Sequence, residues 1–410
     1  MKPLGPIPPG FAMIDGQLAI GTRTASALVG EAGQTPVFVY SSAMIKRRVR
    51  ELLSALPSRV AVHYAVKANP FQPVLQLMSE LVDGFDIASA GELALVLQAG
   101  IAPSRISFAG PGKRTAELAA AITAGITLNL ESEGEAGRAL DVAARLGVTP
   151  RLAIRVNPEF DLKGSGMKMG GGAKQFGIDA MRVPALARMV IASGAEWRGF
   201  HIFAGSQALS AAAIIDTQAQ ALALAAQLAE ASGAALPHCN LGGGLGIPYF
   251  PGDEPVDVAA IGTALGDAMA QLPPVLAETQ FCLELGRYLV GEAGVYLTEI
   301  VDRKVSHGEI FLITDGGLHH QLAASGNFGT VVRRNYPVAI ATRFDAPVEE
   351  EASVVGCLCT PLDRLAEKGG FPRADVAILW RCSAPGLTAR APVRPNFSAT
   401  VPPLKCWFKT

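Results

Sequence analysis

A β/α barrel, the (β/α)8 TIM-type architecture, joined to an all-β domain is the fold class this sequence predicts. Three observations carry it. Short apolar strands alternate with helical segments eight times between about residues 41 and 290. The alternation stops near Val290, where β-rich segments without long helices take over. Polar residues and glycines suited to chemistry fall at the C-terminal ends of the strands, the end at which barrel active sites form.

The elements follow in order. Residues 1–40 contain short strand-like pieces, QLAIG and TPVFVY, between Gly and Pro, and are assigned to the β-domain. The barrel, 41–290, has the strands HYAVKAN, FDIAS, ISFA, TLNLE, LAIRVN, GFHIF, HCNLGG and CLELG. Helices lie between them, among them Ala116–Ala124, Glu133–Leu146 and Ala211–Ala231. Strands alternating with helices make a parallel sheet. Eight units fit a closed barrel better than the alternative, an open doubly wound sheet. Residues 291–410 hold GVYLTEIVDRKV, IFLITDGG and ASVVGCLC, the β-domain.

Composition narrows the function. The chain has 410 residues, half of them apolar and 17% charged, the balance of a packed globular protein. A net charge of −1 gives no reason to expect nucleic acid or an anionic membrane surface as partner. The N-terminus, MKPLGPIPPGFAMIDG, has no apolar segment of signal length, and no run of about 18 apolar residues predicts a membrane span. The six cysteines, Cys239, Cys282, Cys357, Cys359, Cys382 and Cys406, include no CxxC pair, so no metal site is expected. Reduced thiols in a cytoplasmic protein are the simplest expectation.

Four groups stand out. Lys67 closes an apolar strand in HYAVKANP; an amine there suits Schiff-base chemistry, or simply emerges at a strand end. Gly242, Gly243 and Gly244 in NLGGGLG let backbone amides approach a phosphate, or make a tight turn. Glu284 and Arg287 in ELGR could face a ring nitrogen and a phosphate, or pair with each other. His201 and Ser206 in GFHIFAGSQ could stack on a flat ring and donate to a phosphate, or be a satisfied strand-end histidine and its neighbour. Together they supply what pyridoxal phosphate requires.

Order and spacing of HYAVKANP, GFDIASAGEL, HIFAGSQ, NLGGGLGIPY, LELGRYLVGEAG and GCLCTPLD resemble the barrel-type pyridoxal-phosphate decarboxylases, the diaminopimelate, ornithine and arginine decarboxylase family, alanine racemase-like in fold. PLGPIPPGF, SFAGPGK, LKGSGMKMGGGAKQFG, DGGLHHQLAASGNFG and RRNYPV are similar to the branch associated with exosortase A systems and exopolysaccharide loci. The resemblance implies that Lys67 binds pyridoxal 5'-phosphate covalently, Glu284 pairs with its ring nitrogen and His201 stacks on it. Ser206, Gly243, Gly244, Gly286 and Arg287 would hold its phosphate, with Asp86 and Arg155 around the lysine. Cys359 would cross a homodimer interface into the partner's site and help protonate the carbon that loses carbon dioxide.

Substrate residues are implied in the same way. Ornithine-type members carry one acid after the interface cysteine and another at a second place; here these are Thr360 and Arg334. Diaminopimelate-type members have Glu and Arg there. Arg334, Thr360 and Asp363 would therefore face an amino acid with an anionic or polar distal end. Glu284 and Cys359 favour decarboxylation over the alternatives, an amino-acid racemase or a catalytically impaired cofactor-binding homologue.

One stretch departs from the family. Trp380–Thr388 lacks the Gly-Ala-Tyr motif expected near the C-terminus. Permitted codons for this stretch and for Arg394–Lys409 encode family-like sequence when both are read at the same two-base offset. Residues 380–410 are therefore expected to be a frameshifted, poorly packed tail.

Overall fold

The computed structural model describes residues 1–320, 334–375, 378–382 and 404–408. The described chain divides into two compact units: Arg48–Ile247 with Pro255–Tyr288, and Met1–Arg47 with Pro248–Glu254 and the chain from Leu289 onward.

The first unit is a closed barrel. Its strands are β1 (Val60–Ala65), β2 (Gly84–Ile87), β3 (Ile106–Phe108), β4 (Thr127–Leu130), β5 (Arg151–Asn157), β6 (Glu196–Ile202), β7 (His238–Asn240) and β8 (Gln280–Leu285). All pair in parallel and in chain order, and β8 on β1 closes the ring. Helices join them, including Thr115–Ala124, Glu133–Leu146 and Ala211–Ser232. Local chemistry sets their limits. The Ser89, Ser132 and Ser210 hydroxyls accept from backbone amides at three helix starts. Gly147 and Gly233, at positive φ, stop two of these helices, and Gly125 stops Thr115–Ala124 in the same way.

The second unit is built on a β-sheet. Gly294–Ser306 is its longest strand, pairing antiparallel with Glu309–Thr314, Ile378–Cys382 and Val37–Ser41. Glu350–Val355 and Arg364–Phe371 continue the sheet, and Leu404–Phe408 lies parallel on Val37–Ser41. Leu18, Ile20, Leu28, Val37, Val39, Val295 and Leu297 form one core, against which the half-buried Cys406 packs. Of the tail expected to be frameshifted, 383–403, 409 and 410 lie outside the described residues.

The barrel interior differs from the usual filling of bulky branched side chains. His63, Ser107, Asn129, Ala153, Asn240 and Cys282 face a cavity of about 530 Å³. Its floor carries His238, the first residue of β7. Burial, with Arg198 and Arg151 nearby, drives His238 from 6.5 down to about 4. Between those two values the unfolded chain binds a proton that the folded chain refuses. Stability should therefore fall as pH drops through that window, and His238→Gln should flatten the slope. Urea midpoints measured across that range check it; parallel profiles for both proteins would show that another group is responsible.

Candidate active site

Lys67 lies just past β1, in a single 3-10 turn, Val66–Ala68, not on the strand. Its side chain is 57% exposed, so a charge buried by an apolar strand is not what distinguishes it. The turn lifts the amine off the sheet instead. Nζ donates to Glu284 Oε1 at 3.2 Å. The other carboxylate oxygen, Oε2, shares a hydrogen bond with His201 Nε2 at 3.1 Å. Burial pushes the Glu284 carboxyl up, but the Lys67 ammonium and the His201 hydrogen bond outweigh it and hold the group well below the usual carboxylate range. His201 is buried, and its Nδ1 has no partner.

The glycine turn follows β7. Asn240 Oδ1 accepts from Gly242 N at 2.8 Å and fixes the start. At Gly243 a Cβ would stand 1.9 Å from the Glu284 carbonyl oxygen, so only glycine lets this turn pass β8. Gly244 has φ +92°, in the region glycine favours. Gly286 is equally crowded, 2.8 Å from Ala68 Cβ for an added Cβ. Arg287 Nη1 donates to Gln207 Oε1 at 3.2 Å. Gln207, at φ +62°, also donates to Ile247 O, tying the Ser206 loop to the end of the glycine turn. Ser206 is half-buried on a short strand, Gly205–Ser206, paired with Met167–Lys168.

Arg155 is buried and donates to Glu131 Oε1 at 2.9 Å. The other Glu131 oxygen accepts from Gly177 N. Asp86 is buried, with Oδ2 3.2 Å from His63 Nδ1 and Oδ1 without a partner. Burial works against a charged His63, yet its pKa stands well above the ordinary value. The Cys282 sulfur and the Asp86 carboxylate beside it, with the hydrogen bond to Asp86, outweigh that burial. Glu92, which accepts from Ala88 N at 2.7 Å, is held above its ordinary value by burial.

Lys67, Asp86, Arg155, His201, Ser206, Gly243, Gly244, Glu284, Gly286 and Arg287, the residues singled out in the sequence, all lie in the barrel unit. Glu131, Gln207 and His63, which the sequence did not single out, contact Arg155, Arg287 and Asp86, and Glu92 interacts electrostatically with Lys67. Gln207, Glu92 and His63 sit inside HIFAGSQ, GFDIASAGEL and HYAVKANP, and Glu131 closes the strand TLNLE.

Cys359, Arg334, Thr360 and Asp363 belong to the second unit. Cys359 is exposed, so it is not a buried β-domain thiol. Arg334 is exposed and lies 3.8 Å over the Phe250 ring centroid. Asp363 is placed differently from the expectation. It is 2% exposed, and its oxygens accept from Leu318 N and Leu358 N, so it shapes the cysteine loop rather than reaching for substrate.

A reachable amine, a buried carboxylate braced by an imidazole, and a glycine turn beside an arginine fit pyridoxal phosphate: they supply the amine, the ring-nitrogen partner and the phosphate cradle. The buried His201 Nδ1 has no partner within the protein, which leaves polar capacity beside the carboxylate that would face the ring nitrogen. This defines a pyridoxal-phosphate enzyme of the barrel type. The chain belongs to the pyridoxal-dependent decarboxylases: residues 42–291 match the family described as pyridoxal-dependent decarboxylase, pyridoxal binding domain. It is 34% identical over 364 residues to the L-glutamyl-[BtrI acyl-carrier protein] decarboxylase of Niallia circulans, covering 87% of this chain and 85% of that protein. It is 31% identical to the diaminopimelate decarboxylase of Methanothermobacter thermautotrophicus, over 88% and 83% of the two chains. The diaminopimelate decarboxylase of Helicobacter pylori complexed with L-lysine superposes with a TM-score of 0.80 at 25% identity, covering 93% of each chain. The chain is a pyridoxal-phosphate-dependent amino-acid decarboxylase, and the racemase alternative has no support among these relatives.

Among the described residues no helix is long and apolar enough to cross a membrane, and no group of His, Cys, Asp or Glu could hold a metal ion.

Proposed function

We propose that this decarboxylase acts on an amino acid whose α-amine and α-carboxylate are free and whose distal end is an anionic or thioesterified carboxyl, never an ammonium alone. The connected Lys67–Glu284–His201 set carries the assignment of roles. When bound, pyridoxal phosphate supplies the electron sink for the pair left as the α-carboxylate departs. Lys67 tethers it through Nζ. Glu284, charged at neutral pH, keeps a proton on the ring nitrogen. His201 braces that carboxylate and backs the ring. Ser206, the amides of Gly243 and Gly244, and Arg287 hold the phosphate. Asp86 and Arg155 line the lysine side. Cys359 Sγ, carried into a neighbouring subunit of a homodimer, delivers the proton to the α-carbon. A cytoplasmic location suits its free thiols.

Thr360 supports the substrate reading, since a hydroxyl cannot hold a distal ammonium as an acid does. The similarity to a glutamyl-carrier decarboxylase supports a distal carboxyl joined to a carrier as a thioester. Carbon dioxide release should be measured on L-glutamate, its pantetheine γ-thioester, diaminopimelate, ornithine and lysine. L-Glutamate or its γ-thioester should exceed ornithine and lysine by about 100-fold in kcat/KM, because an unpaired ammonium in the distal pocket is costly. Efficient turnover of ornithine or lysine would end the proposal. We also propose that residues 380–410 are a frameshifted tail, which the gene's nucleotide sequence tests.

A further inference from the structure

The cavity inside the barrel opens away from the active site. Arg151, His238, Gln280 and Thr127 on its wall are each the first residue of a strand, so they mark the N-terminal floor. Lys67, Glu284 and the glycine turn stand at the opposite ends of the strands.

The floor carries more positive charge than its acids balance. Arg105, Arg151 and Arg198 all line it. Arg151 and Arg198 share one carboxylate, the half-exposed Glu196, at 3.1 and 2.9 Å. Asp83, the acid on the cavity wall, accepts from Val62 N at 2.8 Å. Arg198 Nε is fully buried and has no hydrogen-bond partner, a donor lacking its acceptor. Burial and the adjacent Arg151 lower the Arg198 pKa, and the two guanidinium groups help keep His238 neutral. His238 can therefore donate or accept without adding charge. Above them Ser107, Asn129 and Asn240 add neutral polar groups where a barrel ordinarily holds branched apolar ones.

We infer that the barrel floor is a second binding site, for a small oxyanion of the phosphate or carboxylate class, held chiefly by Arg198 and Arg151 with His238. The planar donor sets of two adjacent guanidinium groups are suited to a tetrahedral or planar oxyanion. The cavity volume admits such an ion with its water.

The test uses the holoenzyme, whose cofactor already fills the phosphate cradle at the other end. Inorganic phosphate is titrated against chloride at matched ionic strength, and thermal midpoint, calorimetric heat and cofactor absorbance are followed. Phosphate should raise the midpoint saturably with no loss of cofactor absorbance. Arg198→Ala should weaken phosphate about tenfold, the loss of one charge-assisted donor set. Arg198→Lys keeps the charge but not the fork, guards against a folding failure, and should weaken binding by a smaller factor. Equal effects of chloride, unchanged affinity in both variants, or phosphate that displaces the cofactor would each overturn the site.

Discussion

Lys67→Ala is expected to abolish decarboxylation, lowering turnover by about 10⁴-fold or more, the scale seen when a covalent catalyst is removed. Borohydride should fix pyridoxal phosphate to the wild type at a peptide containing Lys67, and fix none to the variant. The fold should survive, because the side chain is mostly exposed and packs little apolar surface. The thermal midpoint without cofactor should therefore stay close to that of the wild type, although Glu284 loses one of its two partners. A variant that still reduces onto the protein at one site would move the tether to another lysine. Lys113 is a poor substitute, being buried against Glu135 at 2.8 Å with its amine also donating to Gly110 O and Asn129 O.

Glu284→Gln is the second large effect. The amide keeps the size of the group and can still accept from Lys67 or His201, so cofactor affinity should change little. It cannot hold a proton on a pyridine nitrogen as a carboxylate does. Turnover should fall by about 10²-fold, the cost typical of losing one preorganised electrostatic contact. The signature is a loss in kcat at near-constant KM. If kcat stays within about threefold of wild type, the acid has no such role.

Much of this was written in local sequence. The barrel strands were readable because each is a short apolar run followed by a helix with its own stop signal, as Leu146 followed by Gly147 shows. Site residues were readable where a strand end and an unusual residue coincide, as at Glu284 and the glycines after Asn240. Lys67 was found for a partly wrong reason. Its value lies in a turn that lifts it clear of the sheet, and the HYAVKAN string reads as unbroken strand. What stayed hidden depends on neighbours across the barrel. Glu131 matters because Arg155, one strand away, donates to it. The polar interior emerges only when residues of β1, β3, β4, β5, β7 and β8 are seen to face one space. Asp363 was misjudged because its position after Cys359 suggested the substrate, whereas its burial and two amide partners were invisible in the string.

That buried Asp363 also bears on how new specificities could be engineered. Its carboxylate pins the Leu318 and Leu358 amides, while its own carbonyl accepts from Gly356 N. The loop between Gly356 and Asp363 is thus anchored at its base, with Cys357, Cys359 and Leu362 pointing outward as exposed side chains. Thr360 and Leu362 could be randomised in a library without unfastening the hairpin that carries them, provided the anchoring acid is left alone.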